Sequence, residues 1–97
     1  MRLTDEQMEA IRQSARQIGG ELARVRVFGS RLDDSARGSD LMLELPAPVD
    51  NPALMAAQLA ARASRVLHGR KVDVLISAPN LMRLPIHDIA FQEGRLL

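Results

Sequence analysis

The chain has 97 residues, of which 46% are hydrophobic and 26% are charged, a composition typical of one globular domain with a single hydrophobic core. No apolar run approaches the ~20 residues that a membrane-spanning helix needs. The absence of cysteine excludes disulfides, zinc–thiolate sites and thiol catalysis. A net charge of +1 and only two aromatic residues argue against strong binding of nucleic acid.

The amino terminus is charged and lacks the apolar stretch of a secretory signal. We therefore expect a cytoplasmic protein with no membrane partner. The sequence has no internal repeat, low-complexity segment or linker, and we expect residues 1–97 to form one domain.

The first third of the chain predicts a helix followed by a strand. Thr4 and Gln7 have the spacing of a capping box, and apolar residues three and four apart predict an amphipathic helix over residues 5–18. Residues 23–28 alternate with a period of two, which is typical of a half-buried strand.

A second strand is predicted over residues 40–45, before two prolines. Its three leucines share one face, and Asp40, Met42 and Glu44 share the other. Between the two strands, the polar and small residues 31–38 are typical of a short helical turn or an ordered loop.

The second half of the chain predicts two helices around a third strand. Asn51 is the expected N-cap of a helix over residues 52–67. The third strand covers residues 71–76. A last helix is expected over residues 85–93, packed on the body through the stripe Ile86, Ile89 and Ala90.

These elements predict an α/β (α+β) domain: a small mixed three-stranded sheet flanked by helices. The helix at 52–67 should join two parallel neighbouring strands. We expect the first two strands to be antiparallel, because the phosphate site described in the next paragraph requires the end of the first strand to lie beside the start of the second.

The residues that follow or begin these strands suggest a phosphate site. Gly29 and Ser30 follow the first strand, where backbone amides and a hydroxyl can approach a phosphate closely. Asp40 begins the second strand and Asp73 lies on the third. Carboxylates on neighbouring strands are suited to hold Mg²⁺ against that phosphate.

Each of these residues also has a purely structural interpretation. Gly29-Ser30 alone is typical of a turn, Asp40 of a capping residue, and Asp73 of an exposed residue paired with an arginine. Arg31 and Arg37 either contact a triphosphate or only solvate the surface. The combination on successive strands favours the phosphate site.

His87-Asp88 has the composition of a catalytic pair, but no nucleophile accompanies it. The two histidines of the chain are also too far apart in sequence to suggest a metal site. We therefore expect His87 and Asp88 to be structural.

The pattern resembles the minimal nucleotidyltransferases of the DNA-polymerase-beta superfold, small proteins often paired with a HEPN-domain partner. That family has Gly-Ser, nine or ten residues, Asp-X-Asp, and a third carboxylate on a later strand. Here nine residues separate Gly29-Ser30 from Asp40, and Asp73 has the position of the third carboxylate. The likeness extends over nearly the whole chain, including the Asn-Pro helix start and the Pro-Ile-His segment.

The resemblance implies a nucleotidyltransferase-like fold that binds a nucleoside triphosphate, above all ATP, with Mg²⁺ or Mn²⁺. It implies transfer of a nucleotidyl group to a hydroxyl of a protein or an RNA. Asp40 and Asp73 would be the catalytic metal ligands, and Gly29-Ser30 would hold the β and γ phosphates, with Arg31 and Arg37 as further nucleotide contacts.

One position departs from the family pattern, because Met42 stands where the second Asp of Asp-X-Asp belongs. A thioether is neutral and soft, whereas magnesium prefers hard, charged oxygens. Two of three carboxylates remain, which favours weak or absent activity, and we expect Met42 to be an apolar packing residue. Glu44 shares its face but lies about 13 Å along the strand from Asp40. A long side chain recovers only part of that distance, so we do not expect Glu44 to compensate.

A second function class is a catalytically inactive binding module, acting as the antitoxin-like partner of a HEPN-type ribonuclease. Such a protein should expose an apolar face, for which the segment around Leu81 and Met82 and the alanine-rich helix are candidates. Homo-oligomers are common among such small proteins, but no sequence feature identifies an interface.

Overall fold

The computed structural model describes residues 3–28 and 38–97, with side chains from residue 40 onward in the second range. The described part of the chain forms a mixed sheet with three helices. The helices are α1 (Asp5–Gly19), α2 (Pro52–Val66) and α3 (Pro85–Glu93). The strands are β1 (Arg24–Phe28), β2 (Gly38–Glu44), β3 (Lys71–Ser77) and β4 (Arg95–Leu96).

The sheet has the strand order β3-β2-β1-β4. β1 is antiparallel to β2, and β2 is parallel to β3, to which α2 connects it. Both pairings confirm the predictions from the sequence. The antiparallel pairing brings the end of β1 beside the start of β2, and the parallel pairing brings the start of β3 to the same end of the sheet.

The first two helices begin where their capping residues predict. The Thr4 hydroxyl accepts a hydrogen bond from the Gln7 N–H at 3.1 Å, and the Gln7 side chain accepts one from the Thr4 N–H at 2.9 Å. The Asn51 side chain accepts from the Leu54 N–H at 3.1 Å, with Pro52 in the first turn. These side chains satisfy backbone donors that have no partner inside the helix.

Helices cover both faces of the sheet. On one face, α1 and α2 pack through side chains such as Ile11 and Leu59 against Leu41 and Leu43 of β2, all of them buried. On the other face, Ala90 of α3 packs with two buried residues of the sheet, Phe28 and Met42. We refer to Phe28, Met42 and Ala90 as the α3 cluster. Because the side chains of β2 alternate between the two faces of the sheet, the strand contributes apolar residues to the core on each side.

The fourth strand corrects the prediction of three. β4 pairs antiparallel with β1, with Arg26 opposite Leu96 and Val27 opposite Arg95. Two residues are too short to show an alternating pattern in the sequence. The strand forms because α3 ends at Gly94 and returns the chain to the free edge of β1.

The buried stripe of α3 also differs from the expected one. Ala90 is buried, but Ile86 and Ile89 are 44% and 43% exposed, and His87 is buried in their place. Helical spacing is satisfied equally by a stripe through His87, Ala90 and Gly94. Gly94 follows the helix at a point where a Cβ would lie too close to the Ala90 carbonyl oxygen.

Candidate functional site

Asp40 and Asp73 lie side by side on adjacent parallel strands. The strand register aligns Phe28 of β1, Asp40 of β2 and Asp73 of β3 in one row. Residues aligned in this way project from the same face of a sheet. The row lies at the end of the sheet where β1 ends and where β2 and β3 begin.

The two carboxylates interact electrostatically. Asp40 is half-buried, and its pKa is raised, first by its burial and then by the nearby negative charge of Asp73. Lys71 has the opposite effect and lowers the pKa of Asp40. The repulsion between two negative charges at aligned positions of adjacent strands is relieved either by a proton or by a bound cation.

Lys71 is a residue of this region that the sequence motif does not identify. It begins β3 opposite Gly38, two residues before Asp73. The period of two in β3 assigns it to the face of Asp73, and this alternation is the signal that could have identified it.

The chemistry of the pair suits one hard divalent cation. Mg²⁺ binds through one or two carboxylates together with phosphates and water, and Asp40 and Asp73 supply the two carboxylates. Within residues 3–28 and 38–97, no group of three or more His, Cys, Asp or Glu side chains is arranged to hold a metal.

Met42 is an apolar packing residue, which confirms the prediction for this position. Its side chain is 0% exposed and belongs to the α3 cluster, against which Leu75 and Phe91 also pack. It occupies the row next to Asp40, aligned with Arg26 on β1 and Leu75 on β3. Position 42, where the family pattern has a second carboxylate, is thus closed off from solvent beneath α3.

Glu44 is engaged at the other end of β2. Its carboxylate accepts a hydrogen bond from the Arg26 guanidinium at 2.5 Å. The same guanidinium lies 4.8 Å from the centre of the Phe91 ring, and the Arg83 guanidinium lies 4.6 Å from the same ring centre. Glu44 is part of this structural ion pair and does not contribute to the carboxylate row.

His87 and Asp88 are structural, as predicted. The His87 Nδ1 accepts a hydrogen bond from the Leu84 N–H at 2.9 Å, and Nε2 lies 2.9 Å from the Ile76 carbonyl oxygen, to which it donates as the neutral tautomer requires. Asp88 instead accepts from Arg83 at 2.7 Å. His87 therefore fastens the start of α3 to β3.

The predicted phosphate-binding residues Gly29, Ser30, Arg31 and Arg37 lie outside the described residues. Their roles stay predictions. The described residue that precedes them, Phe28, ends β1 opposite Asp40.

A groove of about 560 Å³ lies at the other end of β2, where Leu45 leads into a proline-containing loop. Two strongly exposed residues line it, Leu22 and Leu54. The groove shares no residue with the row formed by Phe28, Asp40 and Asp73.

Comparisons of this chain with protein-family models, with curated protein sequences and with solved structures gave no match. In the described part of the chain, no helix combines the length and the apolar character needed to span a membrane.

We predict that His87→Ala lowers the free energy of unfolding by about 1–3 kcal/mol, because it leaves polar backbone groups without their partner. Urea unfolding followed by circular dichroism measures the change. Asp88→Ala is the matched control on the same helix. It removes an exposed ion pair and should change stability by less than about 1 kcal/mol, so equal effects of the two substitutions would contradict the role assigned to His87.

A second prediction concerns pH and stability without divalent cations. Since folding raises the pKa of Asp40, its ionisation is less favourable in the folded state, so its contribution to stability falls as pH rises through the folded pKa. Asp40→Asn should therefore raise the Tm at pH 7, by an amount that shrinks toward pH 4.

Thermal unfolding in EDTA across this pH range measures the difference. Asp88→Asn is the control, because Asp88 is exposed and paired with Arg83, and it should not raise the Tm. A lower Tm for Asp40→Asn at pH 7 would show that the carboxylate is not in a repulsive environment.

Proposed function

We propose that this protein is a nucleotidyltransferase-like domain that binds a nucleoside triphosphate, ATP in the first instance, with one Mg²⁺ held by Asp40 and Asp73. Transfer of a nucleotidyl group to a protein or RNA hydroxyl is weak or absent. The observation that supports the proposal best is the alignment of the two carboxylates on β2 and β3. Their mutual repulsion favours the binding of a cation.

The geometry supports binding more than transfer. Transfer joins an acceptor hydroxyl oxygen to the α-phosphorus while the bond to pyrophosphate breaks and the hydroxyl proton passes to solvent. In two-metal sites, the two ions clamp the attacking and the leaving oxygens. With Met42 buried in the α3 cluster, two carboxylates remain for one ion, which is sufficient to hold a polyphosphate but not to clamp both oxygens.

The first test of this proposal is calorimetry with ATP and Mg²⁺. We expect metal-dependent binding by the natural chain and a loss of about tenfold or more in affinity for Asp40→Asn, because charge-assisted metal and phosphate contacts are the strong ones. Asp88→Asn should bind like the natural chain. Absence of binding by the natural chain would refute the proposal.

The second test restores a carboxylate at position 42. Without divalent cations, Met42→Asp should lower stability by about 3–5 kcal/mol, because it places an unpaired charge in an apolar cluster. With Mn²⁺ or Mg²⁺, it should regain stability and transfer more nucleotide from labelled ATP than the natural chain.

Met42→Leu keeps the volume of the side chain without the charge. It should be close to the natural chain in both stability and transfer. If the natural chain transfers nucleotide as fast as Met42→Asp, then Met42 does not limit the reaction and the proposal of weak or absent transfer is wrong.

An exposed apolar surface near α3 favours a second candidate, a binding module that inhibits a HEPN-type ribonuclease by contact. Met82 is 79% exposed, and Leu84, Ile86 and Ile89 are each more than 40% exposed. Of the predicted segment, Met82 is indeed exposed, whereas Leu81 packs against the main core. Exposed apolar side chains that gather into one patch often mark a protein interface, and these four lie within eight residues of one another in the sequence.

This candidate predicts inhibition of the ribonuclease without ATP or Mg²⁺. The assay measures RNA cleavage by a purified HEPN-type ribonuclease at increasing concentrations of the protein. Ile89→Asp should abolish inhibition, and Asp40→Asn should preserve it. Inhibition that requires ATP and Asp40 would instead support nucleotidyl transfer.

A further inference from the structure

Lys71 lies on the carboxylate face of the sheet, at the end where β2 and β3 begin. It is aligned with Gly38 of β2, and this aligned pair lies two positions before the pair Asp40 and Asp73. Its side chain is exposed. Within residues 3–28 and 38–97, its ammonium group is held by no hydrogen bond or ion pair.

The charge of Lys71 reaches the carboxylate row. It lowers the pKa of Asp40, in opposition to burial and to Asp73. Toward a metal ion alone, this ammonium group is unfavourable, because it repels a cation bound between Asp40 and Asp73. Once a metal ion neutralises the carboxylates, the position of Lys71 is favourable for a ligand that brings negative charge together with the metal.

A nucleoside triphosphate is such a ligand, because it carries more negative charge than one divalent cation neutralises. The two carboxylates already offset the charge of one bound Mg²⁺. Met42 supplies no carboxylate for a second ion, so a positive side chain beside the phosphates would offset the negative charge that remains. A lysine ammonium is a compact point charge that binds phosphate oxygens.

The distances are compatible with a shared ligand. Lys71 and Asp73 are two positions apart on β3, so their Cα atoms are about 6.6 Å apart at ~3.3 Å per residue. A polyphosphate chain can therefore contact a metal ion on the carboxylates with one oxygen and the ammonium group with another.

We propose that Lys71 binds the phosphates of the nucleotide and supplies the positive charge that a second metal ion would otherwise provide. This inference rests on the proposed function and names a further binding residue of the same site. It distinguishes Lys71 from an ordinary surface lysine, because removing it should have opposite effects on metal binding and on nucleotide binding.

The test uses calorimetry with two probes, Mn²⁺ alone and ATP with saturating Mg²⁺. Lys71→Met keeps the aliphatic length without the charge. It should bind Mn²⁺ about threefold tighter, because a nearby repelling charge is removed, and ATP about tenfold weaker, because a charge-assisted contact is lost. Lys71→Arg should restore ATP affinity. Arg70→Met is the control, since it removes an exposed cation from the adjacent position and should change neither.

The outcomes separate this inference from the proposed function. Tighter Mn²⁺ binding with unchanged or tighter ATP binding would show that Lys71 only balances the carboxylates, and would overturn the inference alone. Unchanged binding of both probes would overturn it as well. If the natural chain binds no ATP, the proposed function fails and the inference fails with it, while the Mn²⁺ arm still reports whether the carboxylates hold a metal.

Discussion

The parallel pairing of β2 with β3 is the constraint on which the candidate site depends. Its register aligns Asp40 with Asp73, and a shift of one residue would turn one of the two carboxylates to the opposite face. The register is fixed by the buried residues of both strands, because Leu41 and Leu43 on β2 and Ile76 on β3 face the same core beneath α1 and α2. The apolar core thus holds two like charges together although they repel each other.

The position of α3 determines how much of that face is available for chemistry. His87 fastens the start of the helix to β3, and Ala90 packs against the sheet beside Met42. The row of Met42 is therefore covered, while in the adjacent row Asp73 is exposed and Asp40 half-buried. An aspartate at position 42 would have to share the covered layer with apolar side chains, so the methionine and the close packing of α3 belong together. The burial of Met42 is thus a consequence of the close packing of α3 on the sheet.

The sequence predicts the parts of this structure that depend on repeated local patterns. Alternation in β2 predicts that Asp40, Met42 and Glu44 share one face, and capping residues predict the starts of α1 and α2. Three features escape such patterns. β4 has two residues and exists because the free edge of β1 accepts it. The ion pair between Arg26 and Glu44 joins residues far apart in sequence. The buried stripe of α3 depends on the contacts of His87 and Ala90 with the sheet, which periodicity alone does not distinguish from the alternative stripe.

The distribution of charge is the physical basis of the proposed preference for a nucleotide over a free metal ion. Burial and the neighbouring carboxylate raise the pKa of Asp40 and make its ionisation less favourable in the folded protein, and Lys71 offsets part of that effect. A divalent cation alone relieves the repulsion between the carboxylates but is itself repelled by Lys71. A metal–polyphosphate complex presents positive charge to Asp40 and Asp73 and negative charge to Lys71, so all three groups are favourably placed at once. The arrangement is therefore electrostatically complementary to a ligand that carries both signs of charge, separated by about two residues of an extended strand, or ~6–7 Å.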